Sequence, residues 1–521
     1  MSRSTVFALV AFSIALGLGS PARVFADDRV PTVPGVIVVR WDEGASKQAD
    51  QAAIALAAKF GGQAWEDVFP SGDAGKRDLA AVQYFRYSSP FVPSVVAAQF
   101  AELASVVYAE PLYIHTPSAV PQADPDDPRY AQMSHLRQVS APEAWDIVRG
   151  EQGNAIIGIV DSGTEWRHED LRANAWLNPG EIAGNGIDDD NNGFVDDTRG
   201  WSFARDNGDP SPLPGDQHGT VVAGVAAAVS DNGVGVAGMS WNARFLAVNA
   251  ACSNGNRLIC SGYPGIVYAA SNGATVINAS FSRDGGASRF EQDVIDFAYA
   301  QGALVVAAAS NDNDDNDVTS RFPAGYDRVL SVGATNKAND GRASFSNYGR
   351  TVDVFAPGVT LNSTTINGAY NDFANGTSFS APMVAGLAAL IQTQNPAWSV
   401  DRVREQIRVT ADPIEGSNPS SFAGRLGQGR INALRALTES GSPAIRPIGV
   451  AFEEVSGDGD EGIEDGETYR VTVRLTNYLA SANNVTVRLS AADNVLTILN
   501  TTATLGSLAS GDTASVGFSF R

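Results

Sequence analysis

The 521-residue sequence predicts an α/β fold: a parallel sheet with helices on both faces, preceded by a small α+β unit and followed by a β-rich segment. Three observations carry this. From Ala155 onward short apolar strands alternate with helical stretches, as AIIGIV, HGTVVAGVAAAV, RFLAVNA, PGIVYAASNG, TVINASF, FEQDVIDFAYAQG, ALVVAAA and VLSVGAT. A long, nearly all-apolar helical run, APMVAGLAALIQTQ, follows. Before the alternation begins and after it ends, the patterning changes, and the length exceeds that of one ordinary domain, so two or three folded units are expected.

Met1 to Ala26 has a basic start at Arg3, an apolar run from Val6 to Leu18, and Val24-Phe25-Ala26 at the positions a signal peptidase reads. We expect a secretory signal, removed on export, with an uncleaved anchor as the alternative. No later stretch is apolar and long enough to span a bilayer, so no membrane span is expected after signal removal. The next segment reads strand (Val36–Trp41), helix (QADQAAIALAAKFGG), strand (VQYFRY), helix (VPSVVAAQFAELA) and strand (VVYAEPLYI). Thr116 to Asp127, rich in Pro, Ala, Ser and Asp, reads as an exposed, cleavable linker. From about Ile445, YRVTVRLTN and NVTVRLSA alternate in the β manner with turn residues between them. The last residues, GFSFR, stop in mid-strand pattern, so this domain is expected to be incomplete. The expected boundaries are therefore 1–26, 27–121, 122–440 and 445–521.

Ligand sites in open α/β sheets gather at the carboxyl ends of the strands. Asp161 follows AIIGIV directly, in IGIVDSGTEWRHEDL, and Asn311 follows ALVVAAA in the same way. His218 stands in DQHGTVVAGV, and Ser378 in NGTSFSAPMVAG at the start of the apolar helix. A hydroxyl, an imidazole and a carboxylate supply a nucleophile, a base and an orienting acid. Their chain order, aspartate then histidine then serine, differs from that of α/β-hydrolases and of chymotrypsin-like enzymes. The three strings resemble the subtilisin-like serine proteases over roughly Asp126 to Ser440.

The resemblance implies a subtilisin-like sheet and a serine endopeptidase acting on protein or peptide substrates. Ser378 would attack, His218 would carry the proton, and Asp161 would orient the ring. Asn311 would supply the oxyanion-hole amide beside the backbone N–H of Ser378. Ser280, Phe281, Ser282, Ala309 and Ser310 would border the substrate. Here the sequence departs from the family: Ser310 stands where glycine usually precedes the asparagine, and Ser280-Phe281-Ser282 replaces the usual SxG strand. Met383 replaces a common histidine, without expected consequence. Gly219-Thr220 and Gly376-Thr377 are expected to lack bulk so that substrate backbone can approach. The N-terminal α+β segment, ending in YAEP, resembles the inhibitory propeptide of secreted members, which implies a zymogen with its own propeptide as intramolecular inhibitor. The C-terminal segment looks like a partial immunoglobulin-type β-sandwich. Of the other histidines, His115 lies in the propeptide segment, His135 lacks the HGT context, and His168 is expected to be a surface polar residue. Two other readings remain: a narrow processing protease of the kexin kind, to which Asp312 and the NDNDD run would suit a basic substrate, and an inactive protease fold serving adhesion.

In NGIDDDNNGFVDDTRGW, Asp188, Asp190 and Asn192 stand at alternate positions, Gly193 permits a sharp turn, and Asp196 lies beyond. Arg199 occupies the place of the closing glutamate, so this is not an EF-hand; structural calcium is expected, a solvated acidic loop being the alternative. The runs NDNDDNDV and GDGDEGIEDGE are equally acidic and equally open to both readings. Cys252 and Cys260, the two cysteines, bracket a short loop, and a local disulfide is expected over a pair of buried thiols. The net charge of −22 excludes nucleic acid as a partner, for want of a basic patch.

Overall fold

The computed structural model describes residues 32–42, 51–68, 81–113, 124–150, 155–254, 258–336, 339–460, 463–491 and 496–521. The signal segment, His115 and residues 116–123 of the linker lie outside them. The chain divides into two compact units, one from Leu18 to Val120 and a larger one holding Pro121 to Arg521.

The smaller unit contains β1 (Thr32–Trp41), α1 (Gln51–Lys59), β2 (Gly62–Asp67), β3 (Val82–Tyr87), α2 (Pro93–Ala101) and β4 (Val106–Tyr113). Its antiparallel sheet runs β2-β3-β1-β4. Period-2 alternation turns Ile37, Val39 and Phe85 onto Val96 and Phe100 of α2. Strand β2 was not expected from the sequence. GQAWED buries no residue fully, so it carries no alternation to read.

The larger unit begins with two short helices, α3 (Ser134–Gln138) and α4 (Ala141–Trp145), then β5 (Ile156–Asp161), β6 (Gly200–Ser202), α5 (His218–Ala227), β7 (Arg244–Asn249), α6 (Gly262–Ser271) and β8 (Val276–Ala279). There follow β9 (Arg283–Asp284), α7 (Arg289–Ala300), β10 (Leu304–Ala308), β11 (Arg321–Phe322), β12 (Leu330–Thr335), β13 (Val354–Pro357), the hairpin of β14 (Leu361–Thr365) and β15 (Ala369–Ala374), α8 (Thr377–Gln394), α9 (Val400–Val409) and α10 (Ala433–Thr438). Seven parallel strands form the central sheet in the order β13-β12-β10-β8-β5-β7-β6. Helices α5 and α8 pack one face through Val221, Val225, Met383 and Leu387. Helices α6 and α7 pack the other through Ile266, Tyr268, Ile295 and Ala298. This is the expected layering. Because α8 is enclosed by sheet and neighbouring helices, it is apolar around its whole circumference, Met383 included.

The C-terminal segment adds β16 (Ile445–Ser456), β17 (Thr468–Asn477), β18 (Ala482–Arg488), β19 (Thr502–Leu508) and β20 (Thr513–Phe520). They pair antiparallel as β16-β17-β20 and β18-β19. Val471, Val473 and Phe518 of the first sheet share a core with Val485 and Val487 of the second.

Candidate active site

Asp161 is the last residue of β5 and is 1 % exposed. Its Oδ1 accepts from Nδ1–H of His218 at 2.8 Å and from the backbone N–H of Ser162 at 2.7 Å. Since a carboxylate can only accept, Nδ1 must carry the proton, which leaves Nε2 of the neutral ring as a base. The His218 side chain is 37 % exposed, so that nitrogen is open to the cleft.

The glycine after His218 has a structural reason different from the one expected. A Cβ on Gly219 would lie 2.4 Å from the Gly163 carbonyl and 3.0 Å from Cβ of Asp161. Its bareness therefore lets the start of α5 close onto the end of β5, which brings imidazole and carboxylate together. Thr220 is spent on the fold as well, accepting at Oγ1 from the backbone N–H of Glu165.

Sequence reasoning missed Asp216. Its Oδ1 accepts from Ser162 Oγ at 2.8 Å and from the backbone N–H of His218 at 3.2 Å. Ser162 Oγ in turn accepts from the Gly219 N–H. The signal was available: a carboxylate two residues before the histidine in DQHGT. Burial lowers the His218 pKa, but the charge of Asp161, its hydrogen bond and the charge of Asp216 outweigh it, and the net shift is upward from 6.5.

Ser378 is the second residue of α8, where a helical N–H has no partner within the helix. Its hydroxyl donates to the Ser280 carbonyl at 3.4 Å, and Ser280 Oγ donates back to the Ser378 carbonyl at 2.7 Å. No hydrogen bond joins Ser378 Oγ to the His218 ring in this arrangement. The two side chains nonetheless flank the same helix end, since the His218 ring lies 5.4 Å from that of Phe379, centroid to centroid.

Asn311 is oriented by Thr377. The backbone N–H of Thr377 donates to Asn311 Oδ1 at 2.8 Å, and Thr377 Oγ1 donates at 3.0 Å. With its oxygen consumed, the amide presents Nδ2 as a free donor. A Cβ built at Gly376, where φ is 147°, would lie 3.6 Å from Asn311 Nδ2 and 3.7 Å from the Ser378 nitrogen. Asn311 Nδ2 and the Ser378 backbone nitrogen thus both lie within 4 Å of one point beside Gly376, whose φ a residue with a side chain rarely adopts. Thr377 serves that clamp rather than merely lacking bulk.

A cavity of about 890 Å³ runs past Asp161, His218, Ser280, Phe281, Ser282 and Phe379. Ile259 and Cys260 form part of its rim, and Cys260 is disulfide-bonded to Cys252, as expected. Ser282 Oγ and Ser310 Oγ lie 2.5 Å apart. Ala309, expected along the substrate, is instead fully buried against Val352 and Phe355, because its side chain falls on the core face of the segment leaving β10. His168 is likewise not at the surface. It is 1 % exposed, with Nε2 on the Ala369 carbonyl at 2.9 Å and Nδ1 accepting from the Asp170 N–H, so it ties the β14–β15 hairpin to the core.

The acidic loop does not assemble as its spacing suggested. Asp188 and Asp190 come together with Glu181, their carboxylate oxygens lying within 4.8 Å of one another. Glu181 Oε2 is buried without a hydrogen-bond partner. That orphaned oxygen and an all-oxygen donor set fit a hard cation such as calcium. Asn192 Oδ1 accepts from the Phe194 N–H and Asp196 from the N–H groups of Asn185 and Gly186, as Asp188 does from those of Asn192 and Gly193; of these, Asp188 and Asp190 also converge with Glu181. A second acid pair escaped sequence reasoning. Asp127 and Asp170 are 4 % and 0 % exposed, and Asn232 joins them, donating from its backbone to the first and its side chain to the second. Burial pushes their pKa values up to about 6 and about 7. In the β-rich segment, Asp458 and Glu467 of the GDGDEGIEDGE stretch also converge with Glu454.

A family model described as the subtilase family matches residues 152–433. The chain is 36 % identical over 314 residues to thermitase from Thermoactinomyces vulgaris, covering 60 % of this chain and 99 % of that one. It is 36 % identical over 334 residues to a thermophilic serine proteinase from Bacillus sp. (strain AK1), covering 64 % and 73 %. Over 302 residues it is 38 % identical to subtilisin BL from Lederbergia lenta, covering 58 % and 97 %. A match running from the start of β5 through the Ser378 helix, over more than half of the sequence, means that this chain belongs to the subtilase family of serine peptidases.

Proposed function

We propose that the protein is a secreted serine endopeptidase, made as a zymogen, that hydrolyses peptide bonds through an acyl-enzyme on Ser378. The observation that carries this is the 2.8 Å bond from His218 to buried Asp161 beside the helix end that carries Ser378, where Thr377 holds Asn311. For the reaction, Ser378 Oγ leaves the Ser280 carbonyl and engages Nε2 of His218. Oγ then attacks the scissile carbonyl as Nε2 takes its proton, and Asp161 stabilises the imidazolium. The oxygen of the tetrahedral intermediate sits between Asn311 Nδ2 and the Ser378 N–H. His218 returns the proton to the leaving amine, and water reverses the sequence to free the acid. The separate α+β unit is the inhibitory propeptide, cleaved in the 116–127 segment. The β-rich segment is an immunoglobulin-type domain.

A fluorophosphonate probe is expected to label Ser378 at a rate that rises with pH as His218 loses its proton. Because the folded pKa is raised, that acid limb lies above 6.5, and activity present above it is lost as pH falls through it. Asp216→Asn removes one of the raising charges and should move the limb to lower pH. Absence of labelling in the wild-type protein at any pH would remove the proteolytic reading.

Calcium would be held by Glu181, Asp188 and Asp190, where it would relieve the repulsion among clustered carboxylates. Ligand bound at about a hundred times its dissociation constant adds about 2.7 kcal/mol. Chelation should therefore lower Tm by roughly 5–10 °C, restored by added calcium. The measurement belongs on Ser378→Ala protein, which cannot digest itself. An identical Tm with and without chelator would refute calcium binding.

A further inference from the structure

We propose that Ser282 and Ser310 close the slot beside the reacting carbonyl, so that this enzyme cleaves after small residues, glycine or alanine, and discriminates against aromatic ones. The inference rests on the proteolytic reading and deepens it. Segments 280–282 and 309–311 leave the paired parallel strands β8 and β10 and both end at Ser378, one through the Ser280 carbonyl and the other through the Asn311–Thr377 clamp. With a peptide carbonyl carbon at Ser378 Oγ and its oxygen at Asn311 Nδ2, these segments flank the reacting residue, and its side chain is placed between them.

That space is bridged by the Ser282–Ser310 hydroxyl pair at 2.5 Å. A flat ring needs contacts of about 3.5 Å on each face, hence walls about 7 Å apart. Ser310 is 3 % exposed and holds φ at 87°, a left-handed conformation that is strained for a side-chain-bearing residue and persists where surroundings enforce it. Further along the same two segments, Arg321 spans from Asp284 at 3.8 Å to Asp314 at 2.6 Å and Asp312 at 3.4 Å. It compensates the aspartates that the kexin-like reading would assign to a basic substrate residue.

The test is a series of tetrapeptide anilides that differ only in the residue before the scissile bond. Wild-type kcat/KM for alanine should exceed that for phenylalanine by roughly tenfold or more. In Ser282→Gly/Ser310→Gly protein the phenylalanine-to-alanine ratio should rise by roughly tenfold, with fluorophosphonate labelling showing that the variant is folded. A wild-type enzyme that cleaves after phenylalanine as readily as after alanine overturns the proposal without any variant, as does an unmoved ratio in a labelled variant. Wild-type protein that neither labels nor cleaves would instead remove the proteolytic reading, and this one with it.

Discussion

Ser378→Ala is expected to lower casein hydrolysis on the order of 10⁶-fold, the loss measured for the nucleophile of a subtilisin. The size follows from the removal of a covalent pathway: His218 and Asp161 then have no hydroxyl to activate, and only the donors at Asn311 and Ser378 act on the substrate. The backbone N–H survives the substitution, so some catalysis over water should persist. The same variant should stay at full length on a gel, because maturation is assigned to this site. A variant that matures normally in purified form would mean that another residue or another protease does the cutting.

Asn311→Leu, close to isosteric, is expected to lower kcat by about 10²–10³, or about 3 kcal/mol of transition-state stabilisation, again a subtilisin magnitude carried over. KM should change little, since Nδ2 meets the oxygen only once it carries negative charge. The structure sharpens this expectation. Thr377 takes up both acceptor positions on Asn311 Oδ1, so the amide reaches the transition state already oriented. A fall in kcat below about tenfold, or a change confined to KM, would mean that Asn311 positions substrate rather than stabilising charge.

The α/β alternation and the strand-end positions of Asp161 and Asn311 were legible because apolar periodicity and loop position are local properties of the chain. The HGT and NGTS strings marked His218 and Ser378 for a similar reason, although their glycines answer to structure that no string displays: Gly219 to a carbonyl of residue 163, Gly376 to a backbone φ of 147°. Strand β2 was illegible because its side chains bury too little to alternate. His168 and Ala309 were misplaced because burial depends on what the rest of the chain lays over a residue. Glu181 lies outside the Asp-rich motif that it completes.

By itself, then, the sequence determined the layered architecture and the chemical identities of the groups that react, since both follow from residue types and near-neighbour spacing. The tertiary structure alone decided which groups meet: Asp216 with Ser162, Asp127 and Asp170 through Asn232, and Ser282 with Ser310 across 28 residues of chain. Hydrogen bonds and ion pairs act over a few ångströms, and only the path of the folded backbone brings residues so distant in sequence within that range.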